Sequence, residues 1–438
     1  MPTTTQAATA RHASPDGPTQ APGDDATLDG VDLEQLARHV ATPFYAYSAS
    51  AIRQRIHALR QALAGLDAGI CFAVKANPNL AILQLMAEAG VGADIVSAGE
   101  LQRSLHAGIP PGRIVFSGVG KSVDEITGAL SVGISRFNVE SLDELQTLQR
   151  LAQAQQVVAA AAVRINPDVD AHTHEKISTG KSENKFGVSI DEARCWFAAR
   201  SAYPNVRLDG LHVHIGSQIL DVEPFRLALR RVAVFWRELE QAGHPVASID
   251  VGGGLGVCYR AGVDRPLAVA DYAGAIREAL AGFQGRILLE PGRWLVAEAG
   301  VLLTRVIRVK PGVARRFLVL DAAMNDLQRP SLYDAWHDIV PVRADASRPP
   351  TTYDIVGPVC ETGDTFARGR ELPECAAGEL LLIKTAGAYG ASMASTYNSR
   401  PLAAEVLLDR GRYALVRRRQ HFDEMIAGEQ PARHWQTP

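Results

Sequence analysis

The stretch AGICFAVKANPN, residues 68–79, decides how the main fold begins. Its apolar run predicts a buried strand over residues 71–75 with Lys75 at its C-terminal end, because Pro78 stops the strand and a helical pattern starts near Leu80. Burial disfavours an ammonium ion, so we expect a lowered pKa for Lys75 and an amine that can attack an aldehyde. A lysine that merely extends its charge out of a strand end is the alternative.

Length and composition limit the classes of protein that the chain can belong to. At 438 residues it predicts two domains, and 47% hydrophobic with 21% charged residues is typical of a globular protein. A net charge of −3 predicts neither a nucleic-acid partner nor a basic membrane surface. The apolar runs are far shorter than the ~18 residues that span a bilayer. Five scattered cysteines without metal-binding spacing lead us to expect no metal and a reducing, cytoplasmic location.

Strand and helix patterns alternate from Lys75 onward at an interval of about 22 residues, which is typical of β/α repeats. Four Ser-x-x-Glu pairs, which begin at Ser97, Ser122, Ser141 and Ser189, fit capping boxes at helix starts. The repeat predicts a (β/α)₈ barrel of the TIM type over residues 49–300. We place its strands at residues 71–75, 93–97, 114–117, 137–139, 160–165, 211–215, 248–251 and 287–289.

The two ends of the chain differ from the repeat. Residues 1–26 are poor in large apolar side chains and predict a disordered tail. Residues 27–48, with a short helix and the strand-like PFYAYS, are expected to pack with a later β domain. Short β-rich runs separated by Gly and Pro fill residues 301–438 and predict a C-terminal β-barrel or sandwich. The fold class is therefore α/β plus all-β.

Polar residues gather where the predicted barrel strands end, which is where such barrels carry their functional groups. Taken singly, each has a simpler explanation: a tight turn for the glycines, a core position for the histidine, and an ion pair between Glu290 and Arg293. The residues are Lys75 after strand one, Asp94 in strand two, His214 and Ser217 at strand six, Gly252, Gly253 and Gly254 at strand seven, and Glu290, Gly292 and Arg293 at strand eight.

Glycine-rich turns after strands seven and eight occupy the usual phosphate site of such barrels. A phosphate site that faces a lysine favours pyridoxal 5′-phosphate (PLP), which would form an aldimine with Lys75. His214 would stack on the ring, and Glu290 would keep the pyridine nitrogen protonated. The phosphate would lie on Gly252, Gly253, Gly254 and Gly292, assisted by Ser217.

Eight long motifs follow one another in a fixed order. They are FAVKANPN (72–79), ISTGKSENKFG (177–187), HVHIGSQ (212–218), DVGGGLG (250–256), EPGR (290–293), RPSLYDAWH (329–337), GPVCETGD (357–364) and GAYGASMASTYNSRP (387–401). With these motifs the chain resembles the diaminopimelate decarboxylases, in the fold III (alanine racemase-like) group of PLP enzymes, from about Val31 to Tyr413. We also expect the ISTGKSENKFG segment to be a mobile element.

The resemblance implies decarboxylation of meso-2,6-diaminopimelate to L-lysine and CO₂, the last step of lysine biosynthesis. It implies that Lys75, His214 and Cys360 are catalytic, with Cys360 as proton donor from the partner subunit of a homodimer. Glu361, also from the partner, would pair with the distal ammonium. Arg293, Arg329 and Tyr333 would hold the distal carboxylate. Asp94, Arg293 and Tyr389 would contact the cofactor, and Tyr389 the substrate as well.

Three other functions stay open at this point. The first is another fold III decarboxylase, acting on ornithine, arginine, lysine or a carboxylated polyamine, which would not need the pair Arg329 and Tyr333. The second is an alanine racemase, which would lack the Cys-Glu pair. The third is a PLP carrier or inactive decoy subunit, although such a protein is expected to lose Lys75 or Cys360. Structurally, Arg329 and Tyr333 could merely pack between domains, and Cys360 could be a buried small apolar residue.

Overall fold

The structure, a computed structural model, describes residues 26–170, 185–313 and 315–432. All of the predicted disordered tail except Ala26, and nearly all of the predicted mobile segment 177–187, lie outside the described residues. The first helix begins after Asp32, whose carboxylate accepts hydrogen bonds from the N–H groups of Glu34 and Gln35. The elements before the barrel are β1 (Thr27–Leu28), β2 (Val31–Asp32), α1 (Leu33–His39) and β3 (Phe44–Ser48).

Eight parallel strands close into a barrel in the order of the chain, and the last strand pairs with the first through Ile287 and Ala68. The predicted (β/α)₈ barrel is therefore confirmed. Its strands are β4 (Ala68–Ala73), β5 (Gly92–Ile95), β6 (Ile114–Phe116), β7 (Arg136–Val139), β8 (Ala159–Arg164), β9 (Val206–His212), β10 (Ser248–Asp250) and β11 (Arg286–Leu289).

Helices surround the barrel, and their starts agree with the Ser-x-x-Glu pattern. All four predicted serines cap a helix by accepting the N–H of the glutamate three residues on. Among these four described pairs, only Ser122 and Glu125 bond in both directions, while Glu100 turns to the N–H of Val96. The helices are α2 (Ala49–Ala62), α3 (Leu80–Glu88), α4 (Ala98–His106), α5 (Val123–Val132), α6 (Leu142–Ala154), α7 (Ile190–Ala198), α8 (Glu223–Gln241), α9 (Val269–Ala279) and α10 (Arg293–Val296).

Three strands were predicted to end two or three residues too late, and one of them, β5, ends at Ile95 rather than at residue 97. β4 ends at Ala73, and Lys75 lies in the single 3₁₀ turn that follows it. β9 begins five residues before the predicted start and ends at His212, so His214 and Ser217 lie in the loop beyond the strand. Each of these predictions continued a strand beyond the last residue that pairs with a neighbouring strand. A single sequence does not show where that pairing ends.

A mixed sheet forms the second half of the fold, and the predicted β-rich C-terminal part is confirmed. Its strand order is β16-β15-β13-β12-β3-β18-β19, with β17 paired to β12 and β14. The predicted domain limits stay predictions. β3 precedes the barrel in the chain and pairs with β12 and β18 of this sheet. The elements are β12 (Gly300–Pro311), β13 (Arg316–Leu320), α11 (Arg329–Tyr333), β14 (Ile339–Pro341), β15 (Pro350–Val356), β16 (Thr365–Pro373), β17 (Leu380–Ile383), β18 (Ala404–Asp409), β19 (Arg412–Arg417) and α12 (Phe422–Met425).

The long helix α8 shows how the barrel is covered. Phe225, Leu229, Val232 and Leu239 fall on one helical face and are all buried. The ring of Phe225 meets that of Tyr272 on α9 edge to face at 4.9 Å, which joins the two helices. Among the helices of the described ranges, none combines the length and the apolar character that crossing a bilayer requires.

Candidate active site

A cavity of about 780 Å³ opens at the C-terminal ends of the barrel strands and reaches α11. It brings together most of the site residues predicted from the sequence. Gly252 and Gly253 lie beneath its floor, whereas Cys360 and Glu361 are exposed elsewhere on the surface. The eleven predicted residues that line it are Lys75, Asp94, His214, Ser217, Gly254, Glu290, Gly292, Arg293, Arg329, Tyr333 and Tyr389.

Lys75 extends into this cavity, where 44% of its side-chain surface is exposed. Its Nζ lies 3.5 Å from Oδ2 of Asp94, which is buried on β5. Burial lowers the pKa of Lys75, but the charges of Asp94, Tyr389 and Glu290 outweigh it and raise the pKa above its ordinary value. The predicted lowered pKa is therefore wrong, because the sequence did not predict that Lys75 pairs with Asp94.

We expect Asp94→Asn to lower the pKa of Lys75, because the substitution removes the nearest negative charge from its ammonium. The fraction of neutral amine at a given pH then rises. Apoenzyme of this variant should bind PLP several-fold faster near pH 7, and the midpoint of the rate–pH profile should move to lower pH. Stopped-flow absorbance measures this, with the exposed Asp124→Asn as matched control; an unchanged midpoint would contradict the role of Asp94.

Glu290 lies directly after β11 and is held by three side chains. Its Oε2 is 3.0 Å from Nε2 of His212, and its Oε1 accepts hydrogen bonds from Ser117 and Asn138, each at 3.1 Å. Burial alone would raise the pKa of Glu290, but the charge and hydrogen bond of His212 lower it far below its usual range. The carboxylate is thus ionised. The alternative ion pair with Arg293 is wrong, because Arg293 pairs elsewhere.

His214 presents a neutral imidazole to the cavity. Its Nδ1 accepts a hydrogen bond from the N–H of Gly253 at 3.2 Å. Burial and then the charges of Arg164 and Lys75 hold the pKa of His214 well below its ordinary value. A neutral ring can pack flat against another aromatic ring without the cost of desolvating a charge.

The loop Gly252–Gly254 leaves no space for side chains. A Cβ on Gly252 would overlap the carbonyl oxygen of Val213, and one on Gly253 would overlap that of Glu290. Gly252 and Gly254 also have positive φ values of 68° and 110°. The N–H groups of Gly252 and Gly253 donate to Asp250 and His214. Of this loop, Gly254 lines the cavity, so an anion can approach its backbone closely there, as in phosphate-binding turns.

Arg293 and Arg329 line the same cavity beside the ring of Tyr259, and both are buried. Arg293 donates hydrogen bonds to Tyr259 and, at 3.2 Å, to Oγ of Ser217, and its guanidinium lies 4.9 Å from the ring centre of Tyr389. Its Nε finds no hydrogen-bond acceptor in the described part of the chain. Two buried guanidinium groups in one cavity suit a carboxylate ligand.

A histidine orients Arg329. Burial and the charge of Arg329 lower the pKa of His337 to about 3, so its ring is neutral. Nδ1–H of His337 donates to the carbonyl of Lys384, and Nε2 accepts from Arg329, both at 2.8 Å. The guanidinium also lies over the ring of Tyr259 at 4.3 Å.

Several contacts were missed from the sequence. His212 could have been found, because it and the selected His214 lie two residues apart in the predicted strand 211–215 and would share one face of it. Arg164 ends β8 and lines the cavity, so the strand-end rule would have found it as well. Tyr259 and His337 belong to segments far apart in the chain, and no local pattern marks them.

His212, Asp250 and Glu290 carry donor atoms within 4.8 Å of one another, a spacing that would also suit a metal ion, and two of them, His212 and Glu290, line the cavity. Burial and repulsion from Glu290 raise the pKa of Asp250 well above its ordinary value. Since His212 already pairs with Glu290, we interpret the group as the support of that carboxylate.

The residues present fit PLP. Lys75 offers a reactive amine, Gly254 and Gly292 a close approach of the backbone to an anion, His214 a flat neutral ring, and Glu290 an ionised carboxylate within one cavity. The carboxylate matters because the chemistry of PLP requires a proton on its ring nitrogen.

Known proteins resemble this chain over most of its length. The family model described as pyridoxal-dependent decarboxylase, pyridoxal binding domain, matches residues 49–297. The diaminopimelate decarboxylase of Zymomonas mobilis is 48% identical over 92% of this chain and 96% of its own length. That of Pseudomonas aeruginosa is 49% identical with the same two coverages. The chain belongs to the diaminopimelate decarboxylase family.

A solved structure supports the same membership. Diaminopimelate decarboxylase from Helicobacter pylori, complexed with L-lysine, superposes with a TM-score of 0.88 at 44% identity, over 91% of this chain and 99% of the other. Membership in the diaminopimelate decarboxylase family confirms the predicted fold III group, PLP as the cofactor and a carboxy-lyase as the class of enzyme. The individual site residues stay predictions.

Proposed function

We propose that this chain decarboxylates meso-2,6-diaminopimelate to L-lysine and CO₂, the last step of lysine biosynthesis. The observation that carries the proposal is the pair of buried guanidinium groups, Arg293 and Arg329, in the cavity that holds Lys75. Diaminopimelate carries a second carboxylate at its distal end, whereas ornithine, lysine and arginine do not. Bound L-lysine in the Helicobacter pylori relative is consistent with this reaction.

Each residue of the site has a defined task in this proposal. PLP, when bound, supplies an electron sink for the electrons of the broken carbon–carbon bond. Lys75 would hold the cofactor through Nζ and give way to the substrate amine. Glu290, ionised through His212, would keep a proton on the pyridine nitrogen, and His214 would support the ring face. Tyr389, whose hydroxyl lies by Gly292, would contact phosphate and substrate.

A proton must return to the α-carbon after CO₂ leaves, and we assign this step to Sγ of Cys360 from the partner subunit of a homodimer. Cys360 and Glu361 are exposed and do not line the cavity of their own chain, which supports a role across an interface. Glu361 would pair with the distal ammonium. A cytoplasmic location remains part of the proposal, consistent with cysteines that show no disulfide spacing.

Release of CO₂ from purified, PLP-loaded protein tests the proposed reaction. Meso-diaminopimelate, L-ornithine, L-lysine and L-arginine are offered side by side. We expect release from diaminopimelate alone, with L-lysine as product. Turnover of a plain diamino acid at a similar rate would retain the cofactor and the fold but contradict the proposed substrate.

We expect Arg329→Ala to raise KM for diaminopimelate about 30-fold or more, because a charge-assisted hydrogen bond to a carboxylate is worth about 2 kcal/mol. PLP absorbance should not change. Steady-state kinetics checks the KM, with the exposed Arg368→Ala as matched control. A fall in kcat at constant KM, together with weaker PLP binding, would instead assign Arg329 to packing.

A further inference from the structure

A second cavity, of about 340 Å³, opens at the opposite end of the barrel, where the strands begin. Its lining is positively charged: among the described residues that line it, four are arginines and none is acidic. These are Arg60 at the end of α2, Arg113 before β6, Arg136 on β7 and Arg286 on β11. The active-site cavity differs, because there Asp94, Asp264 and Glu290 offset the cations.

Arg136 is the deepest of the four and is buried. It lies against Gly210 on β9, where a Cβ would overlap its Nη1. One carboxylate outside the lining, that of Asp209, lies 3.1 Å from Nη1. Asp209 also pairs with the exposed Arg207, so it does not neutralise the positive charge of the cavity.

Beside Arg136 lies a hydroxyl that lacks a partner. Ser248 on β10 is 3% exposed, and its Oγ has no hydrogen-bond partner in the described ranges. It lines the cavity and faces the same glycine, because a Cβ on Gly210 would lie 3.0 Å from Oγ. A buried hydroxyl without a partner is costly unless a ligand or water satisfies it.

The other three arginines lie at the rim. Arg60 and Arg113 each donate from one nitrogen to a backbone carbonyl, those of Ala89 and Gly90, which leaves their other N–H groups for a ligand. Arg286 extends across Gly69 and forms no ion pair within the residues that the structure describes. Guanidinium groups held by backbone contacts lose little freedom when they bind an oxyanion.

We propose that this cavity binds a small, multiply charged oxyanion, such as a molecule with phosphate groups or with several carboxylates. Guanidinium donors and one hydroxyl match clustered anionic oxygens, and the volume admits a small metabolite but not a folded partner. The site is separate from the decarboxylation site, since the two open at opposite ends of the barrel. It therefore stands independently of the proposed substrate.

Calorimetric titration of the PLP-loaded enzyme tests this site, with inorganic pyrophosphate and citrate as probes. PLP fills the phosphate site of the active-site cavity, so pyrophosphate cannot bind there. Loss of binding in Arg286→Ala distinguishes the second cavity from Arg293 and Arg329, which could bind citrate in the active site. We expect one saturable site per chain that weakens with added salt. Arg286→Ala and Arg113→Ala should each weaken binding at least about tenfold, and Ser248→Ala several-fold. The exposed Arg230→Ala, on α8, is the matched control and should bind normally.

The outcomes separate the possible ligands and the proposal itself. Tighter binding of pyrophosphate assigns the site to phosphate compounds, and tighter binding of citrate assigns it to polycarboxylates. No saturable heat with either probe, or equal binding by Arg286→Ala and Arg230→Ala, overturns the proposal. If Arg113→Ala does not fold, calorimetric titration of Arg286→Gln and Ser248→Ala decides whether this cavity binds the probe. The readout does not depend on turnover, so a wrong substrate assignment would leave it unaffected.

Discussion

Lys75→Ala is expected to abolish the visible absorbance of bound PLP and to lower turnover at least about 10³-fold. Lys75 is the one lysine among the described residues that line the active-site cavity, and its side chain is partly exposed there. Without it, no lysine amine among the described lining residues can hold the cofactor carbonyl at that point. Absorbance spectra and CO₂ release from the same preparation measure both effects.

Two further measurements make the assignment of Lys75 specific. Lys75→Arg keeps the charge beside Asp94 but offers no free amine, so we expect it to lose the absorbance as well. Reduction of the wild-type holoenzyme with borohydride, followed by peptide mass mapping, should place the pyridoxyl group on Lys75. A label on any other lysine, or an active Lys75→Ala protein, would refute the assignment.

Cys360→Ala is expected to keep its PLP absorbance and to lose about 10²–10⁴-fold in turnover, the usual contribution of a positioned proton donor. The separation of the two readouts follows from geometry, since Cys360 is exposed and lies outside the cavity that would hold PLP in its own chain. Cys195→Ala, which alters another exposed cysteine, is the matched control. Wild-type turnover by Cys360→Ala would remove the thiol from the mechanism.

Mixing the two inactive variants tests whether each active site is shared between subunits. If Lys75 and Cys360 act across a homodimer, random reassembly makes about half of the dimers mixed, and one of the two sites in each is complete. Activity should then recover to about a quarter of wild type. No recovery, after mass spectrometry has verified subunit exchange, would place both residues in one chain and contradict the shared site.

Prediction from the sequence succeeded where local order decides the structure. The eight-strand repeat, the serine caps and the glycine turns depend on neighbours within a few residues, and a parallel barrel brings all strand ends to one face. For that reason the sequence alone predicts that Lys75, His214 and Glu290 share one cavity. The long motifs added the family, including Arg329 and Cys360, which no periodicity identifies.

Prediction failed where a group's chemistry depends on partners distant in the chain. The pKa of Lys75 is set by Asp94, and the charge of Glu290 by His212, so both directions follow from contacts across the barrel. Likewise, the contact between the neutral His337 and Arg329 is a tertiary one, and local order did not predict it.

Residue order and motifs were enough to predict the (β/α)₈ barrel, the β-rich second part, the cofactor and eleven of the residues that line its cavity. Only the tertiary structure decided the ionisation of those residues, the exposure of Cys360 and the arginine cavity at the far end of the barrel. The physical reason is the separation along the chain of the residues that determine each property. Secondary structure and turn chemistry are set by nearest neighbours, whereas burial and charge interaction depend on which distant side chains the closed barrel brings within a few ångströms.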